Sequence, residues 1–539
     1  MAIHALWEDR YALSVRKGPL DLAKLVGTGD DSDDNVNVAS HTNAGAPTSE
    51  SNDADTPVEI GGDQHFKNRE PGATTQGMQI GQVTSGTTMI FGMPVVGNPG
   101  ITTGQETIEV EKTDGFATAR VGGANEASNI FRAGQNPTAT FDFVATGKSA
   151  VHAAALFFQA GMKQAKHAGH TANVAQKRAT FPLNTDGSDP LYYGSFLRKI
   201  SAAVANSHLL SDAVGTSLTI RASQTEPLTI GLGLSGRLAV TEFDVTNDIS
   251  GGSESTIFGL DGKKNYLLQD SVVTINDGTR DVALACESFD INCTSEVTPN
   301  RFNTFFPLNL VLGNYSVDGS FTIPMLGKGT HAASVTLNQF QDLMADAGVG
   351  AGSGVTSTFT PRLLTFGWVS GVTASPGDAV TLKTESTTTS TTAYSANNVT
   401  SIELATDVKA SLGDGANAKG VVHLTLNSGA ETQVEYTATA TAGGKTTLTI
   451  PSTDFSGDIL GAGNTVTYDA ITTAQDLRVS VNAIITDVSV GGDTEATMTI
   501  SFRGMNQFTA GTDSILNHAI KFQYTDDNIT KSWGYETHS

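Results

Sequence analysis

The chain is short of several residue types, and each shortage excludes something. Its 539 residues include only two cysteines, Cys286 and Cys293. A disulfide framework is therefore out, and synthesis in a reducing cytoplasm fits. Both cysteines fall on one expected strand. Their odd separation sets them on opposite faces, roughly 23 Å apart at strand rise, too far to bridge. The tryptophans Trp7, Trp368 and Trp533 offer little for an aromatic sugar-binding groove. No apolar run is long enough to cross a bilayer as a helix. Glu8, Asp9 and Arg10 stand where a signal peptide needs its apolar core. The chain is expected to be made in the cytoplasm and to be soluble there, with no membrane partner.

Basic residues are also scarce. Lys and Arg total 32 against 55 Asp and Glu, giving a net charge of −23 and a pI near 4.7. Such a surface repels phosphate backbones and excludes tight nucleic-acid binding. By the same argument, a wall along which DNA must slide without sticking is also acidic. Charged residues are 16% of the chain, while glycine reaches 57 positions. That composition suits short strands and turns better than helical bundles. With 38% hydrophobic and 7% aromatic residues, the chain holds several modest cores rather than one large α/β core. Its length implies a few domains.

The most regular stretch is 315–347. Tyr315, Val317, Phe321, Ile323 and Met325 alternate with Ser316, Asp318, Ser320 and Thr322, which predicts a strand with one apolar face. Gly327, Lys328 and Gly329 end it. Thr336 and Gln339 have capping-box spacing, and Leu337, Phe340, Leu343, Met344 and Ala347 follow at helical spacing. The same unit occurs earlier. Ala139, Phe141, Phe143 and Ala145 alternate with polar residues, Gly147 and Lys148 turn the chain, and Val151, Ala154, Phe158 and Met162 form a helical stripe. One separation parts both Phe141 from Phe321 and Lys148 from Lys328, so a duplicated domain is the simplest account.

The likeness extends along the chain, with 196–221 resembling 476–503 in layout. The first copy then covers 1–222, including a long polar loop at 27–63. The second covers 223–371 and 474–510. Between its parts lies a threonine-rich β segment, 372–473, whose size and strand density suggest a small immunoglobulin-like sandwich. Residues 511–539 form a C-terminal extension.

Several local patterns resemble sites. Gly231, Gly233 and Gly236 match the dinucleotide fingerprint, but a strand rather than a helix follows them. Thr146 to Ser149 resembles the end of a phosphate loop, yet Asp142 stands where that loop begins and would repel phosphate. His167 and His170 lack further metal ligands nearby. Asp30, Asp31, Asp33 and Asp34 lack the glycine and distal glutamate of a calcium loop. Lys163, Lys166, Lys177 and Arg178 read as a solvated basic loop. No catalytic, cofactor-binding or metal-ligating residue is expected, and no enzyme.

The sequence Tyr315-Ser-Val-Asp-Gly-Ser-Phe-Thr-Ile323, with the strand leading to it through Cys293, the helix after it and a closing hairpin, resembles the tail tube proteins of long-tailed bacteriophages and related viruses. That resemblance implies a mainly β fold with flanking helices: two tandem tail-tube-like β-sandwich or barrel domains, plus the inserted immunoglobulin-like domain. It implies self-assembly into stacked rings, trimeric and pseudo-hexameric for a two-domain chain. The stack would be a conduit for genome DNA in a virion tail. Implied partners are other copies of the chain, the tail terminator, the tape measure and the distal tail proteins. Two rivals are a β-rich adhesin, fibre or capsid decoration protein, and a secreted polysaccharide-active enzyme.

Overall fold

The computed structural model describes chiefly residues 9–17, 90–110, 129–159, 177–182, 192–200, 207–243, 266–276, 281–301, 309–324, 361–369, 385–412, 420–429, 431–468, 476–491, 496–505 and 519–526. The fold is mainly β. Nineteen of the described strands belong to one hydrogen-bonded network.

One layer of that network is a series of antiparallel strands that repeats itself. Its first unit begins with the interrupted edge Val95–Val96 and Ile101–Thr102, followed by Thr138–Val144, Glu226–Ser235 and the second half of Ser207–Ser223. The second unit runs Ser288–Asn300, Asn309–Pro324, Thr497–Gly504 and the second half of Asp476–Gly491. The two units join by direct pairing of Ser207–Ser223 with Ser288–Asn300.

Two long strands carry the chain into a second layer. The first half of Ser207–Ser223 pairs with Tyr192–Lys199 and Leu238–Phe243. The first half of Asp476–Gly491 pairs in the same way with Arg362–Trp368 and Ile520–Asp526. Each strand changes layer at a register shift against its hairpin partner, Gly215/Ser217 in one and Ile485/Asp487 in the other. A bulge of this kind bends a strand and sharpens its twist, so one strand can serve both layers.

The core fills the space between the layers. Phe141 stacks on Phe196 with ring centroids 4.2 Å apart, and Phe196 also stacks on Tyr11. In the second unit Phe366 takes the middle place, 4.4 Å from Phe289 and 6.5 Å from Phe321. The alternation read from sequence holds: Phe141, Phe143, Val317, Phe321 and Ile323 are all buried. The helix Gly147–Phe158 closes one end of this core. Ser149 Oγ accepts from the Thr146 N–H at 2.9 Å. Gln159 ends the helix in the left-handed region at φ 57. Its amide offsets that strain by donating to Leu156 O and Tyr192 O and accepting from the Tyr192 N–H. In the second unit Leu343 and Asp346 are helical, and Asp346 pairs with Arg362 at 2.7 Å. Thr336 and Gln339 lie outside the described residues.

The segment between the parts of the second unit forms two further sheets. One orders Glu385–Thr388, Thr465–Tyr468, Gly420–Thr425 and Glu431–Tyr436; the other orders Val399–Glu403, Lys445–Thr453 and Ala438–Ala442. They enclose their own core, which includes Ile402, Leu424, Leu448 and Tyr468.

Four expectations need revision. Lys177 and Arg178 open a strand, Lys177–Pro182, which pairs with Ile520–Asp526. That partner strand lies within the expected C-terminal extension. The correspondence between 196–221 and 476–503 is displaced by one strand, because the pairings match Ser207–Ser223 with Asp476–Gly491. Cys286 lies outside the strand Ser288–Asn300, beyond a break in the chain's pairing. Both cysteines therefore contact the same core.

Burial pushes the Cys286 thiol up to about 12 and raises Cys293 further, so both stay protonated near neutrality. In the native chain at pH 8, iodoacetamide labelling of either should run on the order of 10³ slower than a free thiol. Both should label in denaturant. Native labelling at the free-thiol rate contradicts the packing described.

Candidate functional site

The open face of the repeating layer is mostly polar, with Val96 and Val144 as apolar exceptions near one edge. Period-two alternation that sends Leu218, Ile220, Phe321 and Ile500 into the core turns Thr219, Arg221, Thr322 and Thr499 outward. Neighbouring strands are stitched across this face. Thr219 Oγ1 donates to Asn292 Oδ1 at 3.1 Å. Hydroxyls meet between Thr294 and Ser316 at 2.7 Å and between Thr322 and Thr499 at 3.2 Å. Arg221 pairs with Asp142 at 2.8 Å, and Arg503 lies 3.6 Å from Asp318. Both arginines thus face aspartates, while Asp290 and Asp487 add further negative charge. A phosphate backbone would find here neither a cluster of unpaired cations nor a flat apolar surface.

Two glycines of the apparent dinucleotide fingerprint belong to this face, while the third, Gly236, follows the strand and abuts Leu210. Gly231 and Gly233 lie within Glu226–Ser235, paired on both sides, and the strand Leu238–Phe243 follows. A Cβ on Gly231 would sit 2.6 Å from Asp142 Oδ1, and one on Gly233 would sit 2.4 Å from Ser217 Oγ. They make room for neighbouring side chains. Thr146 to Ser149 likewise starts a helix whose Gly147 abuts the Tyr524 hydroxyl. His167, His170, Lys163, Lys166 and Asp30 to Asp34 lie outside the described residues. Among the described residues no group of three or more His, Cys, Asp or Glu could hold a metal ion.

The second feature is the seam between the two units. Ile220 stands opposite Ile291, and Leu218 opposite Cys293, with all four side chains buried. The far ends of Ser288–Asn300 and Asn309–Pro324 continue past the layer as a paired arm. This arm leans back over the first unit, where Leu310 and Leu312 pack with Tyr193 and Val214. Arg237 pins it. Its guanidinium holds Asp212 at 2.9 Å and donates from Nε to Pro307 O at 3.3 Å, with both charges buried. Asp212 itself sits at φ 52.

The third feature is a pair of open edges. The second half of Asp476–Gly491 has one neighbour, Thr497–Gly504, among the described residues. Its counterpart in Ser207–Ser223 has two. Corresponding residues follow from the pairings. Ile220 opposes Ile230, which opposes Phe143; Val490 opposes Met498, which opposes Ile323. Ile220 is 0% exposed at the seam, whereas Val490 is 50% exposed. By the same correspondence Val214, buried under the arm, matches Ile484, which is partly exposed.

The opposite edge is Val95–Val96 with Ile101–Thr102, paired only to Thr138–Val144 among the described residues. Val96 is 51% exposed. The excursion between the two short strands is fixed. Gly97 turns it at φ 79, and Asn98 Oδ1 accepts from both the Tyr11 hydroxyl and Arg198, the latter at 3.1 Å. Arg198 is held in turn by Asp9 at 2.7 Å.

Sequence reasoning located the strands of this surface but missed the seam and the edges. The signal lay in the pairs Ile220-Arg221 and Val490-Gly491, whose equivalence requires the bulges to be placed. No protein-family model matches the chain, and no curated protein matches it either.

Because Gly231 leaves room for Asp142, Gly231→Val should displace that carboxylate from Arg221. It should lower stability by about 1–3 kcal/mol, the usual cost of overpacking, in denaturant unfolding. Unchanged stability contradicts the close approach.

Proposed function

We propose that this chain is a structural virion subunit that joins copies of itself edge to edge. Two tandem tail-tube domains, with an immunoglobulin-like domain inserted in the second, build rings of three chains with pseudo-hexameric shape. Stacked rings form a tail tube through which genome DNA passes. The chain is no enzyme on this reading. It works in the virion after synthesis in host cytoplasm, with tail terminator, tape measure and distal tail proteins at the tube's ends.

One observation carries the reading. A strand series occurs twice, is joined by backbone pairing, and stops at two edges that have no partner among the described residues and whose exposed valines lie at its ends. An edge of this kind is a hazard in a monomer, since it templates pairing with another chain. A subunit made to join its neighbours turns the hazard into a bond. The polar, aspartate-rich open face supports the conduit role, because DNA gliding along it would release no counterions to bound phosphate contacts.

Expressed alone, the chain should form three-lobed rings or hollow tubes in negative-stain images at micromolar concentration. Val490→Asp puts a charge at the edge and should leave monomers by light scattering. As a surface substitution it should change monomer stability by no more than about 0.5 kcal/mol. A parent chain that stays monomeric and binds capsids or cells instead points to a decoration, fibre or adhesin role and ends the tube reading.

A further inference from the structure

The contact between the two units of one chain has two parts: strand pairing at the seam and an arm leaning back over the preceding unit. Both parts have counterparts at the ends of the strand series. At the trailing end, Val490 and Ile484 match Ile220 and Val214 but lack their cover among the described residues. At the leading end, Ile101 matches Ile291. Ile101 opposes Ala139 as Ile291 opposes Gly319. Ala139 then opposes Leu234 of its neighbouring strand as Gly319 opposes Phe502, and Thr138 opposes Ser235 as Asp318 opposes Arg503. An arm is present at the leading end as well. Gln105–Val110 pairs with Asn129–Gln135, directly after Ile101–Thr102 and directly before Thr138–Val144. That is the place that the far ends of Ser288–Asn300 and Asn309–Pro324 hold in the second unit. The two arms run close together, with Arg301 of the second against Gly134 of the first.

Resting on the tube reading, we infer that the contact between chains copies the contact within the chain, in the same register. Within the chain, Ile220 opposes Ile291 and Thr219 opposes Asn292. Between chains, Val490 then opposes Ile101 of the next copy, and Ser489 opposes Thr102. The arm Gln105–Val110 with Asn129–Gln135 of that next copy lies over Ile484, as the second arm lies over Val214. Strand directions agree: every neighbouring pair in the series is antiparallel, and the new junction continues that alternation. The partner is a second copy of this chain. No other occupant would present an edge whose length, polarity and side-chain parity are already matched inside the molecule.

Two single variants of the full chain test this, Val490→Cys and Ile101→Cys, with the buried native cysteines retained. Opposed residues of an antiparallel pair lie within disulfide reach. Mild oxidation of mixed, assembled chains should give a covalent heterodimer that joins one variant to the other, absent from either variant alone. Hydrogen exchange on the unmodified chain gives an independent readout. Amides at 489–491 should slow by at least about 100-fold on assembly, as edge amides gain partners. Rings or tubes that form without the disulfide and without added protection at 489–491 overturn the inferred junction and leave the tube reading standing. A chain that forms no assembly overturns both.

Discussion

A β-strand has two edges, and the backbone groups on both need hydrogen-bond partners. That requirement organises this molecule more than any side chain does. The seam between Ser207–Ser223 and Ser288–Asn300 satisfies it inside the chain, and the cores on either side are arranged around that seam. Among the described residues the same requirement is unmet on one side of the second half of Asp476–Gly491 and of Val95–Val96 and Ile101–Thr102. Natural proteins blunt such edges with charge, proline or short length. Here one edge ends in a half-exposed valine and the other carries a second, which is not how an edge is protected.

The bulges let one strand answer two demands. Each long strand must cover one side of the core in its first half and join the repeating layer in its second. A straight strand would do only one. The register shifts at Gly215/Ser217 and Ile485/Asp487 fall at corresponding places, so the bend is a property of the unit and not of one copy. The copies differ around it. The first unit has a further irregularity at Asp212, held in a left-handed conformation by a buried pair with Arg237. Breaking such a pair leaves a charge uncompensated, at a cost of about 3–5 kcal/mol. Through Pro307 it also ties the second unit's arm to the first unit.

Much of this was legible in the residues. Alternation over Phe141, Phe143, Phe321 and Ile323 placed two central strands and their inner faces, because one face is wet and the other buried. The turn into the helix was readable at Thr146 and Gly147, and the failure of the glycine fingerprint was readable from the strand-like run after Gly236. Strand partners were not legible. Pairing joins segments far apart in sequence, and a bulge shifts parity without leaving a compositional mark, which is why 196–221 aligned with the wrong strand. Cys286 was misplaced because an apolar run through a bend looks like a longer strand. Lys177-Arg178 read as a loop because a strand that completes another unit's sheet shows little amphipathic pattern of its own. The edges were beyond reach, since exposure at Val490 is meaningful only beside burial at Ile220.

The most direct measurement is an electron-microscopy map of the assembled chain at a resolution that separates strands. The account predicts one continuous antiparallel layer around a channel, with chain boundaries indistinguishable in spacing and register from the seam at Ile220 and Ile291. A map in which chains meet through other surfaces, leaving the strand that ends at Gly491 unpaired, would contradict it.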